Sequence, residues 1–122
     1  MTVTLGSDFG YQPENYGFKQ IGQIDWSSGS YEFDLTTVWQ HLATGKFYMA
    51  DDSGCSCPSP YESVDSIDDL TEIAKLQVLI DRLNQHDADE YAHGGAGSHS
   101  GEVASLVTAY RDAKKATEKA GQ

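Results

Sequence analysis

The stretch from Tyr31 to Gln40 constrains this chain more than any other: Tyr31, Phe33, Leu35, Thr37 and Trp39 alternate with Glu32, Asp34, Thr36, Val38 and Gln40. Period-two spacing of aromatic and β-branched residues fits a pleated strand, whose successive side chains point to opposite faces. A helix would scatter the same residues around its circumference. Glu32 and Asp34 predict that one face is wet. Thr44-Gly45 then supplies a turn, because glycine takes positive φ without steric cost. Lys46-Phe-Tyr-Met-Ala-Asp51 returns as the hairpin partner. Upstream, residues 18–26 form a first strand, weakened by Gly22, and Ser27-Ser-Gly-Ser30 is a turn. Residues 1–17 read as irregular.

Asp52 to Ser63 is a Pro/Ser/Gly/Cys loop, since Pro58 and Pro60 forbid helix there. A long helix is expected from about Ser66 to about Gln85, within a helical segment 64–91. Ser66 can cap it, with Asp68, Asp69 and Glu72 facing its positive end. Ile67, Leu70, Ile73, Ala74, Leu76, Val78, Leu79, Ile80 and Leu83 cover most of its circumference, so it is central or touches a second chain in a homodimer. Asp87, Asp89 and Glu90 oppose the dipole, which predicts a stop before them. Residues 92–101 are a Gly-rich linker. The last helix starts near Ser100 and spans 102–120, with Val103, Leu106, Val107, Tyr110, Ala113 and Thr117 on one face. Strands first and helices after give one α+β domain over 1–122. Its small antiparallel sheet of two or three strands packs one face against a long helix and a shorter one.

Nineteen acids against eight bases leave a formal net charge of −11. That field repels phosphates and anionic membranes, so no direct nucleic-acid contact and no membrane contact is expected. The favoured partner is a protein with a basic surface. The excess is uneven: residues 1–90 hold sixteen acids and four bases, and residues 91–122 hold three and four. No stretch approaches a membrane span, and the first residues have neither a basic nor an apolar leader region, so a cytoplasmic location is expected.

The oddest segment is Asp52-Ser-Gly-Cys-Ser-Cys-Pro-Ser-Pro-Tyr-Glu62. Together with Val38-Trp39, the turn at Gly45-Lys46 and Phe47-Tyr48, it resembles a family of small actinobacteriophage proteins of unknown function. The resemblance covers about residues 30–63, one hairpin and its loop. It implies phage origin and action in the host cytoplasm, and assigns no chemistry. Read from the residues, Cys55 and Cys57 on a tight loop can hold a soft metal such as zinc, with His41 or His93 completing the set and a dimer sharing the site. The alternative is a pair of small buried thiols in a proline-locked loop. A disulfide across one residue closes a cramped ring, which a reducing cytoplasm opposes.

A cysteine nucleophile needs a lowered pKa, whereas Asp51, Asp52, Glu62 and Asp65 act in the opposite direction. Gly94-Gly-Ala-Gly-Ser98 lacks the Gly-Lys-Ser/Thr ending of a phosphate cradle and puts Glu102 in the following helical turn. It reads as a linker carrying solvated His93 and His99. The expectation is therefore a non-enzymatic phage accessory protein that binds and modulates a host or antiphage-defence protein. Trp39, Tyr48 and Tyr61 are its candidate interface anchors. Two further readings stand beside it: an acidic mimic of nucleic acid, and a domain or dimer stabilised by metal at Cys55 and Cys57.

Overall fold

A computed structural model of the chain describes residues 4–6, 9–26, 32–55, 61, 64–92 and 100–120. Strands β1 (Phe18–Asp25), β2 (Glu32–His41), β3 (Phe47–Cys55) and β4 (Thr71–Glu72) form one antiparallel sheet in the order β1-β2-β3-β4. Helices α1 (Leu76–Ala92) and α2 (Ser100–Ala120) follow. The fold is α+β as expected, with a sheet of four strands where two or three were anticipated.

The β2–β3 hairpin is the one that the alternation predicts. His41 N–H donates to Lys46 O at 2.8 Å, and Gly45 sits at φ 75° in the turn. β3 extends further than the sequence suggests, through Asp52 to Cys55, which pair with Leu35 to Glu32. The waiting ladder of β2 outweighs the poor intrinsic strand preference of Asp-Ser-Gly, because strand propensity depends mainly on context.

The described part of β2 has no wet face: every residue from Leu35 to His41 is buried. On one side Leu35 and Trp39 pack with Leu5, Phe9, Phe18, Tyr48, Tyr61, Val64 and Leu70. This cover comes from chain without long helices, in two segments described at residues 4–6 and 9–16 and at residues 61 and 64–70. Those two segments are joined by the Thr4–Ser66 bridge and by Leu5 N–H donating to Asp65 O at 2.8 Å. On the other side Val38 packs with Ile24, Trp26, Phe47, Met49, Ile73, Leu79, Leu83, Leu106 and Tyr110, beneath both helices. The sheet is thus the middle of three layers.

The long helix also departs from expectation at both ends. Ser66 opens a short 3-10 turn, Ile67–Asp69, in which the Asp69 carboxylate accepts the N–H groups of Asp65 (2.9 Å) and Ser66 (3.2 Å). Thr71 and Glu72 then pair with Met49 and Tyr48, and Ile73 N–H donates to Phe47 O at 2.8 Å. An open strand edge has claimed residues that local propensity assigns to helix. α1 begins only at Leu76, and its buried face is Leu79 and Leu83, with Leu76 partly buried beside them. Ile67, Leu70 and Ile73, which made a longer helix look apolar all round, belong to the segment before it. The helix continues past Asp87, Asp89 and Glu90 to Ala92. Each unfavourable charge costs ~0.3–1 kcal/mol at such an end, too little to stop a helix already anchored by packing.

α2 presents the predicted face. Leu106 and Tyr110 are buried, and Val103, Val107 and Ala113 lie against the same core. Gly22 makes the close approach possible: a Cβ there would lie 2.5 Å from Leu106 Cδ1. It stands beside a register shift between Gln20 and Gly22, so the glycine marks a bulge under the helix.

Candidate functional site at the junction of the third strand and first helix

Phe47, Met49 and Asp51 alternate along the helix-facing side of β3, which brings a carboxylate to the margin of an apolar core. Burying a charge is costly without partners, and Asp51 has several. The Thr36 hydroxyl, from the neighbouring position on β2, donates to Asp51 Oδ1, and Trp26 Nε1 donates to Thr36 Oγ1 at 2.8 Å. From above, Arg82 Nε donates to Asp51 Oδ2 at 3.0 Å. His86, one turn further along α1, places Nδ1 3.7 Å from Asp51 Oδ1 and stacks its ring on Trp26 at 4.5 Å and 15°. Spacing i, i+4 sets Arg82 and His86 on one helical face. Thr36 is fully buried, so the inner half of this cluster braces the sheet. The outer half is accessible: the Arg82 side chain is 47% exposed.

Arg82 also lines a groove of about 370 Å³ with Met49, Thr71, Val78, Asp81 and Gln85. Val78 is one of the described large apolar residues left open to solvent. Asp81 on the rim is exposed and accepts a bond from Gln77 Nε2 at 2.7 Å. The arrangement combines an apolar strip with an acidic, a basic and an amide group beside a strand edge.

The predicted anchors lie elsewhere. Trp39 and Tyr61 are 0% and 1% exposed and Tyr48 is 9% exposed, all within the cluster under the coil layer. Their aromatic area is used inside this chain because Leu5, Phe9, Tyr16, Val64, Ile67 and Leu70 pack over the face on which they stand. Tyr61 shows how tightly that cover is tied. Its φ is 63°, a conformation that costs a non-glycine residue on the order of 1 kcal/mol. Its N–H donates to Asp52 Oδ2 at 2.6 Å, and its hydroxyl lies 2.7 Å from Thr37 Oγ1 and 3.1 Å from Ala50 O. Gln23 Nε2 donates to Thr37 Oγ1 at 2.8 Å, which extends the network to β1.

Tyr48 reaches the edge of the same layer. Its pKa is raised above the ordinary 10.0, first by burial and then by the negative fields of Glu72 and Asp68.

The metal reading rested on Cys55 and Cys57. Cys55 is the last residue of β3; its side chain, Cys57, His93 and His99 lie outside the described residues. Among the described residues no group of three or more His, Cys, Asp or Glu side chains could hold a metal ion. His41 is occupied by Phe18, stacked at 4.6 Å, and by Thr44 Oγ1 at 3.1 Å from Nδ1.

The Asp51 cluster was missed at the sequence level, although a signal for it exists. An acid in phase with Phe47 and Met49 on a strand needs a partner, and Arg82 with His86 is a polar i, i+4 pair on one face of α1. Nothing local says that these two features meet.

A four-stranded antiparallel meander with two helices on one face defines the class, α+β. The chain belongs to the family described as Domain of unknown function (DUF7574), whose sequence profile matches residues 7–113. No curated protein and no solved structure gives a significant match. Among the described residues no helix is long and apolar enough to cross a membrane.

Proposed function

We propose that this protein acts by binding a protein partner with a basic surface and modulating it, without catalysis of its own. In this reading it is a phage accessory protein whose target is a host or antiphage-defence protein. The observation that carries the proposal is the partly apolar groove beside β3, where Val78 and Asp81 are exposed next to Arg82. Glu72 is exposed where β4 adjoins, and the whole chain carries −11. Such a field speeds encounter with a cationic surface and repels anionic ones. Affinity capture from host lysate, read by mass spectrometry, tests it. A partner enriched over a charge-matched control supports the proposal, and the absence of any such partner overturns it.

The exposed row Asp65, Asp68, Asp69 and Glu72 favours a second reading, nucleic-acid mimicry. Duplex DNA competing for the captured partner distinguishes it, because a mimic occupies the groove that the DNA needs.

A further inference from the structure

We propose that the outer edge of β3, beside α1, docks a short extended segment of the partner that carries a lysine or arginine, and that this segment joins the sheet as an added strand. The inference rests on the binding reading above and gives it a location.

Strand parity supplies the first reason. Ile73 N–H donates to Phe47 O, and Met49 pairs with Thr71, so the odd-numbered residues of β3 turn their backbone groups away from β2. Asp51 is the next of them. β4 cannot reach it, because the chain before Thr71 is wound into the 3-10 turn Ile67–Asp69. β3 itself continues in strand conformation to Cys55. Among the described residues no strand pairs with this edge beyond Met49. An edge of this kind is the template on which extended peptides add.

The groove supplies the second reason. Met49, Val78, Asp81, Arg82 and Gln85 stand beside that edge on the helix side of the sheet. A strand paired to β3 would alternate side chains into the groove and away from it. The residue opposite Asp51 would share its face, beside the Asp51–Arg82 pair, with the exposed Asp81 on the same groove. Opposite charges favour such a cross-strand pair and like charges oppose it. Charge also selects the occupant. A second copy of this chain would bring together two molecules of net charge −11, whereas a basic segment finds complementary charge.

The test titrates the isotope-labelled full chain with acetyl-(Lys-Val)3-amide and follows backbone amide shifts. Two control peptides replace lysine with glutamate, or carry N-methyl groups on alternate amides. Expected are shifts centred on Asp51, Val78 and Asp81, with both control peptides binding about tenfold weaker or worse. Asp81→Lys lies on the surface and should leave the thermal midpoint in place while weakening the lysine peptide about fivefold. Equal binding of the N-methylated peptide would reduce the contact to charge alone and overturn the proposal, as would shifts centred elsewhere or no binding. If a captured host partner is retained equally by Asp81→Lys, the binding reading stands and this docking site falls. If the peptide docks as described but no host partner is captured, the site stands and the wider reading falls.

Discussion

Trp39 lies fully buried against Phe9 and Tyr61, each ring centred 4.9 Å away, and among the described residues its indole Nε1 has no hydrogen-bond partner. A buried unmet donor costs about 1–3 kcal/mol, so this position trades a polar penalty against large apolar area. Trp39→Phe removes the donor and keeps a ring; Trp39→Ala removes both and leaves a cavity. The alanine variant is expected to lose ~3–5 kcal/mol and the phenylalanine variant at least ~2 kcal/mol less than that. Urea midpoints at unchanged m-value measure the difference, with Trp26 as the remaining indole reporter. Tyr48 carries a pH dependence of stated sign. Its folded pKa is raised, so its contribution to stability is complete below the unfolded value near 10 and declines as pH climbs through the folded value. Tyr48→Phe should therefore flatten the alkaline limb of a stability–pH curve, and an unchanged limb would assign that loss to other groups.

At the scale of elements, the junction of β3 with α1 separates two kinds of bond to one carboxylate. The side facing Thr36 is deep in the sheet, while the Arg82 pair is half exposed and worth ~0–1 kcal/mol. Asp51→Ala leaves the Thr36 hydroxyl without its acceptor and is expected to cost ~2 kcal/mol. Arg82→Ala is expected to cost less than ~1 kcal/mol. Chemical denaturation of both variants decides the matter, and equal losses would move the energy from the sheet to the ion pair. The same scale explains where sequence reasoning succeeded and failed. The hairpin and α2 were legible because their signals are periodic and local, in Leu35 to Trp39 and in Val103 to Thr117. The start of α1 was not, because Thr71 to Ile73 answer to the open edge of β3, more than twenty residues earlier in the chain.

For the molecule as a whole, a net charge of −11 opposes compaction through self-repulsion. Added sodium chloride should raise the thermal midpoint as it shortens the Debye length towards ~8 Å near physiological strength. A midpoint that falls with salt would show favourable ion pairs outweighing the repulsion. At the same scale, coil covering one face of the sheet and helices the other makes buried core of aromatics that look, in sequence, like surface anchors. The exposed, partly apolar surface lies instead where β3, β4 and α1 converge.

The alternation beginning at Tyr31 does establish the hairpin, because a two-residue period and a permissive turn glycine act within a few residues of one another. It cannot establish whether the second face of that hairpin is wet. Thr36, Val38 and Gln40 are buried because helices from the end of the chain fold back over them, and Trp39 is buried because Phe9 and Tyr61 close from the other side. Those partners are distant along the chain, and only tertiary packing brings them there. Local chemistry thus decides which segments alternate, turn or cap, whereas burial, strand pairing beyond the hairpin and the meeting of Asp51 with Arg82 depend on contacts that no local pattern encodes.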